Sequence, residues 1–165
     1  MTTKNPSSET LETGTSSSEE VMANKFVEEE TRVSHLEVIE TVISSLEQDD
    51  SAMVSKNDTG HLWKFKYGTV EVFVQLTGET DEDLLTVWSP VLDLPIKDES
   101  GLMRKLLEMN WSETFETCFG IRENKVVVLT QRTVAELSPG EISRSVTLVA
   151  TIADDHDEAL IEAFS

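Results

Sequence analysis

The chain has 165 residues, is 38% hydrophobic and carries a formal net charge of −19, which allows one domain with a real core but not two ordinary domains. A charge this negative repels nucleic-acid phosphates and anionic bacterial lipids, so neither nucleic acid nor a membrane is expected as a partner. Basic, cationic or apolar surfaces are favoured instead.

The single cysteine, Cys118, excludes an internal disulfide and any cysteine metal cluster. It lies in a strand-like run, where a free thiol is typical of a small core residue rather than a nucleophile. No apolar run approaches the ~18 residues that a membrane helix needs. The N-terminus lacks the apolar stretch of a secretion signal, and a cytoplasmic location is therefore expected.

Residues 1–32 are predicted to form a disordered tail, acidic and rich in Ser, Thr and Glu. It is nearly free of large apolar side chains until Val21, Met22, Phe26 and Val27. Such a segment buries too little surface to offset the entropy lost on ordering. Residues 33–165 are predicted to form one domain.

A first helix is predicted over residues 34–48. Ser34 and Glu37 have the spacing of a capping box, in which each side chain binds a free backbone amide at the start of the helix. The apolar residues that follow recur at helical period, at Val33, Leu36, Ile39, Ile43 and Leu46.

Three strands are predicted next. Aromatic residues alternate with lysines over residues 63–67, and valines alternate with other side chains over residues 70–76. Gly68 lies between the two runs, which indicates an antiparallel hairpin. A third strand over residues 84–88 is expected to end near Pro90, because proline cannot donate to a strand ladder.

The second half is predicted to hold one helix, two strands and a last helix. Asp98 is the expected cap of the second helix, and the strands span residues 113–121 and 125–130. Ser138 begins the last helix, with a proline and a glutamate placed as in a capping box. The inner face of the second helix is assigned to Leu102, Met103, Leu106 and Leu107.

The predicted order is therefore α-β-β-β-α-β-β-α. Consecutive strands separated by single helices are typical of the α+β class, here a twisted antiparallel sheet of about five strands with helices packed on one face.

Several local motifs, in this order and spacing, resemble the YbjN family over roughly residues 35–165. The motifs are the run Gly60 to Gly68 with Val70, Val72 and Val74 after it, then Trp88-Ser89-Pro90, Leu106 to Asn110, Cys118 to Ile121, and Ala153 to Asp157 with Leu160. The resemblance implies the type III secretion chaperone-like fold and a homodimer. It also implies a role in holding or regulating another protein, and it carries no catalytic residues.

No catalytic site is indicated. The sequence lacks a nucleophile elbow and a phosphate-binding loop, and the run Asp81, Glu82 and Asp83 is explained by a solvated loop. His35, His61 and His156 share no ligand spacing. His156 lies among carboxylates, of which Asp154, Asp157 and Glu158 share one side of a helix at a spacing that suits a hard cation, but a solvated helix face is the simpler interpretation. Neither a metal nor a cofactor is therefore predicted, nor an enzyme.

The aromatic residues leave two interpretations open. If helices cover only one sheet face, some aromatics lie on the other face and form a surface for a partner or a second copy. Alternatively, long side chains cover both faces. The candidate partner-binding residues are Trp63, Phe65, Tyr67, Phe73, Trp88, Met103, Leu107 and Trp111.

We therefore predict a non-catalytic protein-binding module, chaperone-like or regulatory, that acts as a homodimer on an unidentified protein or peptide partner. Apolar burial on the sheet and on the second helix would hold the partner, with the acidic field steering basic partners. The alternative is a regulatory protein that responds to a small molecule or a metal.

Overall fold

The computed structural model describes residues 34–165, so the predicted tail lies outside the described residues. Three helices and six strands form the described part. In chain order they are α1 (His35–Leu46), β1 (Met53–Asn57), β2 (Gly60–Tyr67), β3 (Val70–Leu76), β4 (Leu84–Asp93), α2 (Glu99–Ser112), β5 (Cys118–Arg122), β6 (Lys125–Thr133) and α3 (Pro139–Phe164).

The six strands form one antiparallel sheet in the order β1-β2-β3-β4-β6-β5. The predicted order of elements is confirmed, with one strand more than expected. The additional strand is β1, whose five residues are all exposed. Its sequence lacks the alternation of polar and apolar side chains by which a half-buried strand is recognised.

The core lies between α3 and one face of the sheet. Alternate residues of the central strands point toward this helix and are almost completely buried, and α1 packs beside it. Residues with 0% exposure on the two sides of this contact include Val72, Val74, Val87, Val126 and Val128 from the sheet and Ile142, Val146, Val149, Ala150 and Ala153 from the helix. The small residues of α3 allow close approach to the sheet, so the valines fill the space between them.

Two of the three predicted helix caps are confirmed. The Asp98 carboxylate accepts a hydrogen bond from the Gly101 amide at the start of α2 (2.9 Å). Ser138 and Glu141 form the reciprocal capping box of α3. The capping box predicted for α1 is wrong: Ser34 makes no side-chain cap bond, and its hydroxyl donates instead to Glu79 in the β3–β4 loop, 3.5 Å away.

Two predicted strand boundaries are also wrong. β4 does not end at Pro90 but continues to Asp93, with a shift in its pairing to β6 between Pro90 and Leu92. A proline is tolerated in a strand at such an irregularity. The strand predicted from residue 113 begins only at Cys118, because Phe115 has a positive φ of 50° that interrupts extended backbone.

The segment before β5 is tied to α3 by an ion pair. The Arg144 guanidinium donates two hydrogen bonds to the Glu116 carboxylate, at 2.8 and 2.9 Å. These bonds hold the pKa of the Glu116 carboxyl below its usual range. The paired geometry fixes a turn at residues that the sequence pattern assigned to a strand.

The β2–β3 turn is fastened to α3 by a threonine and two aspartates. Thr69 donates to the Asp154 carboxylate from its amide (2.7 Å) and from its hydroxyl (2.9 Å), and the same hydroxyl lies 2.8 Å from Asp157 Oδ2. Gly68 precedes it with φ +53°, and a Cβ at this position would overlap the Asp154 carboxylate. The turn therefore requires glycine both for its backbone conformation and for space.

Replacing Gly68 with alanine should destabilise the domain. The left-handed backbone costs a residue with a Cβ about 1–2 kcal/mol, and displacement of Asp154 weakens the fastening of the turn. The measurement is the free energy of unfolding from urea denaturation.

Gly140→Ala is the matched control. Gly140 lies in the first turn of α3, and the nearest neighbour of an added Cβ is Ser138 Oγ at 3.9 Å. Alanine there should be neutral or stabilise by up to about 1 kcal/mol, because it restricts the unfolded chain and favours helix. Equal destabilisation by both substitutions would contradict this account of the turn.

Candidate protein-binding surfaces

One row of paired residues crosses all six strands on the side of the sheet away from α3. Residues directly opposite one another in antiparallel strands point to the same face, so all six residues of the row, Phe73 and Trp88 among them, lie on one face. We call this side the open face. In sheet order the row is Met53, Lys64, Phe73, Trp88, Leu129 and Cys118.

Two aromatic rings stack at the centre of the row. The Phe73 and Trp88 ring centroids lie 5.3 Å apart with an angle of 8° between the planes. Arg122 lies over the Trp88 ring, with Cζ 4.1 Å from its centroid, and Lys64 Nζ lies 5.8 Å from the Phe73 centroid. The two cations thus flank the aromatic stack and are attracted by the electron-rich ring faces.

The open face differs in charge from the chain as a whole. The strand register places four cationic residues on it, Lys64, Lys66, Arg122 and Lys125. Only two carboxylates from the strands, Glu71 and Asp93, share that face. The Lys64 ammonium pairs with Glu71 at 2.6 Å, and Lys125 pairs with Asp93. The other two cations also have carboxylate partners: Lys66 lies 3.7 Å from Asp49, and Arg122 lies 3.5 Å from Glu123. The open face therefore concentrates cations that are ion-paired, on a chain of formal charge −19.

A second apolar surface lies on the outer side of α2. Leu107 is 70% exposed and Trp111 is 93% exposed. These residues are four apart and so lie on one side of the helix. Arg104 and Glu108, which are 3.1 Å apart, lie alongside them. We call these four residues the α2 surface.

The α2 surface corrects one part of the predicted inner face. Leu102 and Leu106 are buried against the core and Met103 is partly buried there, whereas Leu107 points outward. The apolar side chains of α2 extend around more of the helix than the core covers. Phe115, in the turn after α2, is 76% exposed and adds to the uncovered apolar area.

The edge of the sheet next to α2 is already occupied. The Asn110 side chain accepts a hydrogen bond from the Phe119 amide at 2.7 Å and donates to the Phe119 carbonyl at 3.3 Å. The amide group thus replaces a neighbouring strand at this point of β5 and protects that edge. The opposite edge strand, β1, exposes Met53 and Val54.

The eight candidate residues do not form one surface. Trp63 and Phe65 are 3% and 1% exposed and lie in the core beneath the helices, where a partner does not reach them in the folded chain. Tyr67 is half-buried and packs against the same core. Of the other five, Phe73 and the buried Trp88 lie on the open face, Leu107 and Trp111 belong to the α2 surface, and Met103 is partly buried against the core.

Sequence reasoning did not find three residues of the open face. Arg122 and Leu129 enter it through the pairing of β4 with β6 and of β6 with β5, which are distant in sequence. Cys118, expected in the core, is exposed at the end of the row. The thiol group itself is partly removed from water, which raises the pKa of Cys118. A raised pKa disfavours the reactive thiolate.

The carboxylates around His156 do not form a cation site. Asp154 and Asp157 are engaged by Thr69, and the His156 ring lies 3.8 Å from Glu113 of a neighbouring segment. Asp157 is only 6% exposed, so the expected solvated face applies to part of the helix alone. Within residues 34–165, no three histidine, cysteine, aspartate or glutamate side chains are grouped as a metal site.

The carboxylate run in the β3–β4 loop has a structural role. Asp83 accepts hydrogen bonds from the hydroxyl and amide of Thr80 and from the Thr77 hydroxyl. These bonds lower the pKa of the Asp83 carboxyl.

Beside α3, a cavity of about 420 Å³ is lined by residues of β3, β4 and the helix, including Asp157. Over the described range, no helix is long and apolar enough to cross a membrane.

An antiparallel sheet with helices on one face, in the order found here, defines the type III secretion chaperone-like class of fold. The chain belongs to the YbjN family: its family model, described as "Putative bacterial sensory transduction regulator", matches residues 35–162. The resemblance stated from the sequence is thereby confirmed.

The fold is also similar to that of a chain in the crystal structure of the ExsC–ExsE complex. The TM-score is 0.55 at 19% identity, over 75% of this chain and 91% of that chain. Identity at this level is informative about the fold alone. Among curated proteins, none matches the sequence.

Arg122→Ala should uncover the Trp88 ring. In a Trp111→Phe background the remaining tryptophans are Trp88 and the buried Trp63, so greater quenching by acrylamide would report on Trp88. Loss of the cation from the ring should also lower the free energy of unfolding by about 0.5–1 kcal/mol.

Arg104→Ala serves as the control for that experiment. Arg104 is 82% exposed at its side chain, and within residues 34–165 its one ion pair is with Glu108 one turn away, so its loss should change stability by less than about 0.5 kcal/mol. Quenching that is the same in both variants would show that Arg122 does not cover the ring.

Proposed function

We propose that the protein is a non-catalytic protein-binding module, chaperone-like or regulatory, that works as a homodimer. The observation that carries the proposal is the exposure of Leu107 (70%) and Trp111 (93%) on α2. On the open face Phe73 and Leu129 are partly exposed beside the buried Trp88. Monomeric proteins rarely leave large apolar side chains grouped in solvent. Membership of the YbjN family and the chaperone-like fold support the same conclusion.

The α2 surface is the proposed dimer contact. Complete burial of one tryptophan removes roughly 150–250 Å² from water, equivalent to ~4–6 kcal/mol at ~25 cal/mol per Å². In a twofold symmetric contact each copy contributes the same patch, so the gain is doubled. Arg104 and Glu108 can exchange their ion pair between the two copies at the rim.

Light scattering should therefore give a mass near twice the 18.4 kDa of one chain. The double substitution Leu107→Glu/Trp111→Glu should return the single-chain mass, because four carboxylates would meet at the symmetric contact without a partner. Both side chains are exposed in the monomer, so the thermal unfolding of the variant domain should remain cooperative.

Ile161→Glu is the matched control for the dimer. Ile161 is an aliphatic residue of α3 with 46% exposure, and the substitution adds one carboxylate away from the α2 surface, where the double variant adds two within it. This variant should remain dimeric. A wild-type mass near 18.4 kDa across a concentration series would refute the dimer.

The open face is the proposed contact for a partner segment. Phe73 and Leu129 offer partly exposed apolar area, and the four ion-paired cations can exchange their carboxylate partners for those of a bound segment, which favours a partner in which apolar side chains alternate with acidic ones. The overall acidic field of the chain favours basic partners at longer range. The two effects together select for a segment of mixed character rather than for a uniformly basic one.

Affinity capture from the native cell extract tests this assignment. Partners recovered with the wild-type chain should be lost with Lys64→Glu/Arg122→Glu, which reverses the charge on both sides of the aromatic stack. Lys56→Glu/Lys97→Glu makes the same change in net charge at two exposed lysines outside both surfaces and should retain the open-face partners. Equal recovery by the wild type and both variants would contradict an open-face contact.

The alternative of a regulator that responds to a metal or a small molecule has less support. Asp154 and Asp157, which the sequence suggested for a cation, hold the β2–β3 turn instead. The proposed function includes no chemical step.

A further inference from the structure

The cavity beside α3 combines apolar walls with a buried carboxylate that has too few hydrogen-bond donors. We propose that this cavity binds one primary ammonium group on an aliphatic chain, with Asp157 accepting the hydrogen bonds of the ammonium. The lining residues are distinct from the open-face row and from the α2 surface. Binding at this site therefore depends neither on the dimer nor on a partner at the open face.

The cavity lies at the end of the sheet where the pairing of β3 with β4 stops. The register between these strands begins only at Phe73 and Trp88. Closer to the start of β3, the Ser89 hydroxyl donates to the Glu71 carbonyl at 2.8 Å, so a side chain takes the place of a strand contact. The irregularity of β4 after Pro90 lies at the same end. The resulting cavity of about 420 Å³ has the volume of a small-molecule site.

Asp157 is a buried acceptor that lacks donors. The residue is 6% exposed, and its Oδ1 accepts no hydrogen bond from any group of residues 34–165. Its Oδ2 lies 2.8 Å from the Thr69 hydroxyl, which also lies 2.9 Å from Asp154 Oδ1. A hydroxyl has one hydrogen and donates it to only one of these carboxylates at a time. Because a buried carboxylate with at most one donor is costly, Asp157 favours a ligand that brings N–H groups.

The charges around the cavity favour a single ammonium group over a metal ion. No basic side chain within residues 34–165 lines the cavity, so the charge of Asp157 has no compensating cation there. The other two carboxylates of the lining, Glu71 and Asp93, are paired with Lys64 and Lys125. A metal ion requires several oxygen ligands, whereas one ammonium matches the one carboxylate that remains.

The apolar walls define the rest of the ligand. Val70, Val91 and Leu92 line the cavity and are 3%, 4% and 5% exposed, and Ile161 adds a side chain that is 46% exposed. An aliphatic chain that continues from the ammonium is buried against these side chains, which strengthens binding. The Asp157 carboxylate can also turn about its last bond, a soft torsion, so that either oxygen meets a donor in the cavity.

Two sources of ligand share this chemistry. A free alkylamine and the side chain of a lysine in a partner protein both present a primary ammonium at the end of an aliphatic chain. The lysine must also bring its own backbone to the mouth of the cavity, whereas the free amine enters alone. A pair of probes with the same chain and different ends therefore distinguishes the two sources.

Titration of the ¹⁵N-labelled full chain, followed by NMR at neutral pH, tests the site with butylammonium and with Nα-acetyl-lysine amide. Saturable shifts are expected at the amide signals of Thr69, Val91 and Ile161. Saturation by the lysine amide indicates a site that accepts a partner's lysine, and saturation by butylammonium alone indicates a site for a free amine. Butanol, which lacks the charge, should bind at least roughly tenfold more weakly. No saturation by either ammonium probe, or equal affinity for butanol, would overturn the proposal.

Asp157→Asn tests the assigned acceptor, because it keeps the shape of the side chain and removes its charge. The ammonium probe that saturates the wild-type chain should bind this variant at least roughly tenfold more weakly. Asp155→Asn is the matched control: it removes the same charge from an exposed position of α3 and should leave binding unchanged. Equal affinity of the probe for Asp157→Asn and for the wild type would refute the role of Asp157.

Ile161→Lys gives a second test that leaves Asp157 in place. Position 161 is one helical turn from Asp157, so the introduced ammonium can occupy the site itself, and butylammonium should no longer bind. Ile161→Met is the control of similar length without a charge, and it should retain binding. Unchanged binding of butylammonium to Ile161→Lys would overturn the proposal. The mass from light scattering and the partners recovered by affinity capture are separate measurements, so failure of the proposed function and failure of this inference are distinguishable.

Discussion

The packing of α3 against the valine-rich face of the sheet is the interaction on which the rest of the structure depends. A strand alternates its side chains between two faces, so burial of Val74 and Val87 under the helix places Phe73 and Trp88 on the other side. A slip of one residue in either strand would exchange the two sets. The alternation that builds the core therefore also creates the open face.

The same packing fixes the positions of α1 and α2. Helix α1 lies beside α3 and contributes Ile39 and Ile43 to the core, while α2 follows the edge strand β5 and contributes Leu102 and Leu106. With three apolar surfaces already meeting on one side of the sheet, the outer side of α2 has no neighbour within residues 34–165. Leu107 and Trp111 are exposed for this reason.

The positive charges of the sheet are concentrated on one face. The chain is strongly acidic as a whole, yet cations collect on the open face, where Lys64 and Arg122 lie over aromatic rings. A lysine or arginine placed there covers apolar surface with its aliphatic stem and keeps its charged end in water. The face is therefore kept in solution by groups that are also suited to bind carboxylates.

Local sequence signals predicted most of the fold. Some signals act within a few residues and can be recognised from the sequence alone. They are the alternation around Phe65 and Val72, the capping box at Ser138 and the cap at Asp98. β1 was missed because its side chains are all exposed and its stability comes from pairing with β2. The extension of β4 past Pro90 was missed because it depends on a shift in pairing with β6.

The candidate surfaces could be predicted only in part. Phe73 and Trp88 were found because aromatic side chains are conspicuous in a strand, and Leu107 was found but assigned to the wrong side of its helix. Arg122, Leu129 and Cys118 join the open face through pairings between strands far apart in sequence. No local pattern contains that information.

The central claim is that one sheet face is covered by helices while the other is available for a protein segment. Hydroxyl-radical labelling of the folded full chain, read residue by residue by mass spectrometry, tests it most directly. The account predicts that Trp63 and Phe65 are protected, whereas Phe73 and Leu129 on the open face react more readily. Reactive Trp63 and Phe65 in the folded chain, or an open face as protected as the core, would contradict it.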